Sequence, residues 1–460
     1  MNDYKKLIND YIEEHTEDMI SFLKELISYR SVQGEAEENA PFGKENKEVL
    51  DRFIAECEKF GFKTENFQGY AAHADMNELA PKLGILCHLD VVPEGTGWTG
   101  DPYKAEVRDG KVIGRGAIDD KGPAVMALYA MKCISDLKIP LKHGVRLITG
   151  CNEENGSEDM EYYRKKTEFP ELLVTPDGNY PLINIEKGML RCEFSADMPE
   201  NCALVSLHGG SVINAVPDRC TARVKDTSPE EIAECAKGIE NVKFTAETEG
   251  NLTVITAEGS CAHASTPEQG YNAVTAMLRL LDDISADTGV PVSVLNSMFP
   301  YGETDGGSAG VKCSDDISGE LTLVLSVIDI ENGSISGKCD CRFPVSKTLS
   351  EISENLCGAF EGDNIDAQII LGVEPHYVDS DSEFVRSLLA VYEDVTGNKG
   401  ECIAIGGGTY VHETENGVAF GAEFPGEDNH MHGADEFITV DSLKLNAKIY
   451  ANMIIALAGK

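Results

Sequence analysis

Apolar positions recur with helical spacing over residues 4 to 29, at Leu7, Ile8, Tyr11, Met19, Phe22, Leu23, Leu26 and Ile27, and again over roughly 44 to 60. Short apolar runs suited to buried strands follow at Leu83 to Val92 and Val145 to Thr149. Between them lie a turn, Gly114-Arg115-Gly116, and a helical run from Pro123 to Ile134. Strands separated by helices predict an α/β layered domain with a mixed, mostly parallel sheet sandwiched by helices. After about residue 186 the texture changes to short strands with helical stretches near Pro229 to Ile239 and Gly270 to Ile284, then strands Leu321 to Ile330 and Lys338 to Phe343. From about 376 the first texture returns, with helices near Glu383 to Val395 and Val440 to Leu457 around a Gly406-Gly407-Gly408 turn. The chain therefore reads as one discontinuous α/β domain, 1–186 and 376–460, carrying an inserted α+β domain over 187–375.

Composition narrows the partners. The chain has 460 residues, 42% of them hydrophobic, which is ample for packed cores. Its 79 Asp+Glu against 39 Lys+Arg leave a net charge of −40, which opposes nucleic acid and anionic membranes and favours small molecules or cations. Fourteen cysteines without a Cys-x-x-Cys pair read as small buried apolar residues of a reducing cytoplasm. No signal peptide and no membrane span is expected.

Five short motifs carry candidate chemistry. In His88-Leu89-Asp90, at the end of a strand, residues i and i+2 share a face, so the carboxylate can orient a metal-binding imidazole. Asp119-Asp120 follows the Gly-Arg-Gly turn and precedes a helix, where adjacent acids repel unless solvated or metal-bound. In Glu153-Glu154, extended backbone would point one carboxylate at a metal while its neighbour handles a proton. Asp177 lies in a Pro-Asp-Gly turn and His432 in a polar turn that also holds His430. Singly, each equally describes a hydrogen-bonded core histidine, a helix N-terminus, a solvated acidic pair or a turn residue. Together they place two histidines and three carboxylates near strand ends of one α/β domain, enough for a two-metal site if one carboxylate bridges. Imidazole with hard oxygen suits zinc, manganese or cobalt alike.

With Gly114-Arg115-Gly116-Ala117-Ile118-Asp119-Asp120-Lys121-Gly122, Asn152-Glu153-Glu154, Pro176-Asp177-Gly178 and the His432 to Glu436 spacing, these motifs resemble the di-zinc metallopeptidases of the aminoacylase, succinyl-diaminopimelate desuccinylase and carboxypeptidase G family, nearest the bacterial cytosolic dipeptidases of peptidase V type. The resemblance implies two divalent ions, zinc first with manganese or cobalt as alternatives. One would be held by His88 and Asp177, the other by Glu154 and His432, with Asp119 bridging. It further implies a cis peptide bond between Asp119 and Asp120, Asp90 orienting His88, and Glu153 as general base. A hydroxide bridging the metals would hydrolyse short peptides with free termini, chiefly dipeptides. In the insertion, Asn214 resembles a substrate-contacting asparagine, His263 an oxyanion-stabilising lid histidine, and Arg342 the arginine for the substrate's C-terminal carboxylate; Gly408 and Thr409 match a pocket-lining segment. The long insertion can supply the lid histidine within one chain, which implies a monomer. Asp177, where the carboxypeptidase and desuccinylase branches carry glutamate, leans toward dipeptidases. The alternatives are an N-acyl-amino-acid deacylase or carboxypeptidase of the same family, or a non-catalytic relative that binds metal or peptide.

Overall fold

The computed structural model describes residues 4–361 and 364–459. The chain divides into two compact units: one formed by the residues up to Asn184, Val378–Ile403 and the residues from Gly408 on, the other by Ile185–Tyr377 with Ala404–Gly407.

In the first unit the sheet runs in the order Lys63–Phe67, Ala71–Asp75, Gly144–Gly150, Pro81–His88, Leu172–Thr175, Gly417–Ala419 and Leu182–Glu186. Its centre is parallel: Pro81–His88 pairs with Gly144–Gly150 and Leu172–Thr175, and Gly417–Ala419 joins the latter. The outer pairings are antiparallel, which makes the sheet mixed. Both faces are covered, and the strand sequences show why. Leu83, Ile85 and Cys87 enter one apolar cluster with Val145 and Leu147, while Leu86 and Ile148 enter another. A strand buried on both sides reads as the continuous apolar run seen in the sequence. Helices Thr16–Ile27, Lys121–Asp136 and Val440–Ala458 contribute Phe22, Leu128 and Tyr450 to the larger cluster. Met160 and Tyr163 of Glu158–Arg164 close the other with Tyr410.

The single helical stretch expected over residues 4 to 29 is two helices, Lys5–Glu14 and Thr16–Ile27. His15 Nδ1 lies 2.8 Å from the Tyr11 carbonyl and Thr16 Oγ1 donates to Ile12 O at 2.9 Å, so side chains engage carbonyls at the junction. Such local bonds compete with the helical ladder.

The second unit is an eight-stranded sheet in the order Lys243–Glu249, Leu252–Glu258, Arg219–Val224, Leu204–Gly209, Thr322–Glu331, Ser334–Phe343, Gly188–Asp197 and Asp366–Val373, antiparallel throughout. Its core takes Ile335, Cys339, Cys341 and Phe343 from alternate positions of one strand. Helices Ala273–Asp283, Val290–Met298 and Leu349–Phe360 pack on it. The last two were absent from the sequence expectation. Val290-Pro291-Val292 reads as a breaker among β-branched residues, yet proline fits the first helical turn, where its missing N–H costs nothing. The helix Leu349–Phe360 did carry a signal, the capping box formed by Thr348 and Glu351. The fourteen cysteines are free thiols, most of them buried, with Cys261 exposed. Among the described residues no helix is long and apolar enough to cross a membrane.

Candidate metal centre

Three adjacent parallel strands deliver the first set of side chains. His88 ends Pro81–His88 and pairs in register with Gly150, the last residue of Gly144–Gly150. Glu153 and Glu154 follow in a short 3-10 turn, and Asp177 follows the strand Leu172–Thr175. These are C-terminal ends of parallel strands, where α/β sheets bind ligands. Asp119 comes from the turn before helix Lys121–Asp136, joined to Asp120 through a cis peptide bond. His432 comes from the loop before strand Phe437–Thr439, which pairs with Lys111–Ile113. Phe437 and Asn429 close that loop through bonds of 3.1 and 2.9 Å.

The ligand atoms of His88, Glu153 and Asp177 all lie within 4.8 Å of one another, as do those of Asp119, Glu154 and His432. Asp119 stands between the groups: Oδ1 is 2.9 Å from His88 Nε2 and Oδ2 is 2.8 Å from His432 Nε2. His88 Nε2 also lies 3.8 Å from Asp177 Oδ2, and His432 Nε2 3.3 Å from Glu154 Oε1. The donor set fits divalent ions. His88 Nε2 and Glu154 Oε1 are buried without a well-directed hydrogen bond, and two ring nitrogens with several carboxylates suit zinc, manganese or cobalt. The grouping adds one feature to the expectation: Glu153, expected as base alone, converges with His88 and Asp177.

Burial and crowding of like charges set the protonation of the cluster. Burial pushes Glu153 well above the usual carboxylate range, and the Asp177 charge adds to it. Asp177 rises to about 7 by burial and the neighbouring Asp119 charge. Burial opposes ionisation of Asp119 as well, but the imidazoles of His432 and His88 beside it outweigh it and hold its carboxyl far below the usual range. His432 is raised to about 11: Asp119 and Glu154 overcome a desolvation that favours the neutral ring. A cluster this rich in carboxylates draws positive charge, and metal ions displace protons from it on binding.

The tertiary structure separates the two candidate histidines of the loop. His430 Nδ1 turns to the Ala434 carbonyl at 3.2 Å and its ring packs edge-on against Phe437, whereas His432 meets Asp119 and Glu154. His432→Ala is therefore expected to lower the affinity for the second equivalent of metal by at least tenfold, and His430→Ala to leave it within about threefold, as read by titration of the metal-stripped protein.

Supporting residues complete the centre, and most were not singled out from the sequence. His88 Nδ1 lies 3.0 Å from the Asp90 backbone carbonyl and 3.4 Å from its Oδ1. The Asp90 carboxylate also accepts the amides of Glu153 and Glu154, both at 3.2 Å, so it seats the acidic pair as well as facing the imidazole. Asp159 Oδ2 accepts Cys151 N at 2.6 Å and Asn152 N at 2.8 Å, and the Tyr410 hydroxyl donates to the same oxygen. Glu436, which entered the sequence reading only through its spacing to His432, is fully buried. It accepts Gly116 N, Ile118 N and Asp119 N at 3.1, 3.0 and 3.3 Å and pairs with Arg115 at 2.6 Å. Arg115 in turn donates to the His432 carbonyl at 3.2 Å. The Arg115–Glu436 pair thereby ties the Asp119 turn to the His432 loop. Arg115 and Glu436 could be suspected from the sequence only as charged residues inside Gly-rich or polar turns.

Within the first unit, Gly408 is exposed and Thr409 Oγ1 accepts Val411 N at 3.4 Å, capping the turn Tyr410–Glu413. Within the second, Asn214 is exposed, and its carbonyl accepts Ala264 N at 2.9 Å, beside the pairing of Ala215–Val216 with Ala262–His263. His263 Nδ1 accepts Ser265 N at 3.2 Å. The same Nδ1 lies 2.7 Å from the Ser265 hydroxyl. Arg342 is almost fully buried, with Nε and Nη2 on Asp340 at 2.6 and 3.0 Å.

Residues 84–456 match the peptidase family M20/M25/M40. A Bacillus subtilis (strain 168) protein named "Putative dipeptidase YtjP" is 36% identical over 459 residues, covering 96% of this chain and 97% of its own. A dipeptidase-named protein of Staphylococcus aureus (strain USA300) is 30% identical over 461 residues, covering 97% and 98%. Human carnosine dipeptidase 1 shares the fold with a TM-score of 0.62 at 16% identity over 99% of both chains, and the di-peptidase Dug1p of Saccharomyces cerevisiae with 0.61 at 13% over 100% of both. A match that spans both compact units, on a chain whose strand ends and adjoining loops converge two histidines and four carboxylates, makes this protein a member of the metal-dependent peptidase family M20/M25/M40 and a peptidase-type hydrolase.

Proposed function

We propose that this protein is a dipeptidase that hydrolyses the peptide bond of short substrates with free termini, using two divalent ions, zinc first. The observation that carries the reading is the pair of ligand groups sharing Asp119, whose two oxygens face His88 and His432. Full-length similarity to dipeptidase-named relatives supports the substrate class. When bound, the ions supply Lewis acidity that lowers the pKa of water and polarises the scissile carbonyl.

The chain's own residues then divide the work. Glu153, whose burial raises its proton affinity, takes a proton from the attacking water as the water oxygen bonds to the carbonyl carbon. The same carboxyl returns that proton to the departing amine as the C–N bond breaks, so the general base becomes the general acid. His263 donates from Nε2 to the tetrahedral oxygen, a contribution worth about 3 kcal/mol if it matches other oxyanion donors. Arg342 takes the substrate's terminal carboxylate; Asn214, Gly408 and Thr409 contact the rest of the substrate. We also infer a cytoplasmic monomer, the inserted domain supplying its own histidine.

The deciding experiment compares metal-stripped protein with zinc- or manganese-reconstituted protein on a free dipeptide, its N-acetylated form and a tetrapeptide. Metal-dependent cleavage of the free dipeptide alone is expected. Equal or better cleavage of the N-acetylated compound moves the activity to a deacylase or carboxypeptidase, and bound metal without turnover leaves a binding protein.

A further inference from the structure

Asp340 and Arg342 stand two residues apart on the strand Ser334–Phe343, so they share the face opposite to the core residues Cys339 and Cys341. Asp340 is fully buried and Arg342 is 4% exposed. The carboxylate takes the guanidinium side-on, Oδ1 to Nε at 2.6 Å and Oδ2 to Nη2 at 3.0 Å. Arg191, the register partner of Asp340 on the strand Gly188–Asp197, adds a bond of 3.2 Å to Oδ2. On its far side Arg342 Nη1 donates to the Gly406 carbonyl at 2.5 Å. That approach requires glycine: a Cβ at 406 would lie 2.4 Å from the Ser265 Cβ.

Two consequences follow from donor and charge counting. A guanidinium has five N–H donors, and three are committed here, two to Asp340 and one to Gly406. The two that remain lie one on each terminal nitrogen, the number a single carboxylate accepts. Asp340 is the one carboxylate shared by Arg342 and the partly exposed Arg191, so these three side chains carry one positive charge in surplus.

We propose that Asp340 is a positioning residue that, together with the Gly406 carbonyl, fixes which donors of Arg342 meet the substrate, so that preference for a free C-terminal carboxylate depends on the Asp340–Arg342 pair and not on Arg342 alone. This rests on the reading of the protein as a dipeptidase whose Arg342 binds that carboxylate. An arginine without the side-on partner keeps its charge but spreads over rotamers, and it loses the ordering already built into the fold.

The test uses metal-loaded full-length enzyme with L-alanyl-L-alanine and L-alanyl-L-alanine amide as probes, recording kcat and KM for wild type, Asp340→Asn, Asp340→Glu and Arg342→Ala. Wild type is expected to favour the free acid by tenfold or more in kcat/KM. Asp340→Asn is expected to raise KM for the acid at least tenfold while leaving KM for the amide within about twofold, bringing the ratio close to that of Arg342→Ala. Asp340→Glu, which keeps the charge one methylene further out, is expected to restore part of the ratio, and it carries the test if the asparagine variant does not fold. A wild-type ratio in the folded Asp340 variants, whatever their Tm, makes Asp340 structural and overturns the proposal. Cleavage of neither probe by wild type defeats the dipeptidase reading. Equal cleavage of both by wild type defeats the role given to Arg342, and this proposal falls in either case.

Discussion

Glu153→Gln is expected to reduce kcat by about 10²- to 10⁴-fold with both metal equivalents still bound, the span typical of a lost general acid–base. The amide is nearly isosteric with the carboxyl, so the loss isolates proton transfer from packing. The position makes the measurement informative in a second way, because Glu153 lies within ligand distance of His88 and Asp177. Metal analysis of the variant separates the two tasks: turnover lost with two ions retained identifies the base, whereas loss of one ion identifies a ligand. More than about a tenth of wild-type turnover would falsify the assignment of the base.

Glu436→Ala is expected to be the most damaging substitution away from the ligands themselves. It strands a buried guanidinium at Arg115 and deprives Gly116 N, Ile118 N and Asp119 N of their acceptor in one step. Breaking a buried pair by removing one partner costs about 3–5 kcal/mol, because the remaining charge stays buried without compensation. The Asp119 turn and the His432 loop lose their common tie at the same time, so metal affinity should fall by about 10- to 100-fold, as for other partners that orient ligands. Thermal unfolding of the metal-stripped protein reads the first effect and metal titration the second. A lowered Tm with unchanged metal affinity would show that the pair stabilises the fold without setting the ligand geometry.

What the sequence determined by itself was local. Continuous apolar runs marked the strands that end at His88 and before Glu153, and helical spacing marked Lys121–Asp136 and Val440–Ala458, because both patterns are written in adjacent residues. The same locality explains what was misread: the break at His15 depends on side-chain bonds to carbonyls, and the helix Val290–Met298 hides behind a proline that only its first turn accommodates. Motif residues could be named from their neighbours, and their partners only through the family resemblance. His430 and His432 differ by two positions in one polar turn; the spacing to Glu436 favoured His432, and the fold brings that ring to Asp119, more than three hundred residues away in the chain. The Arg115–Glu436 tie, the double duty of Asp90 and the clamp of Asp340 on Arg342 likewise exist only once the elements are packed, because each spends a buried charge or carbonyl that has no partner until the fold brings one within hydrogen-bond reach.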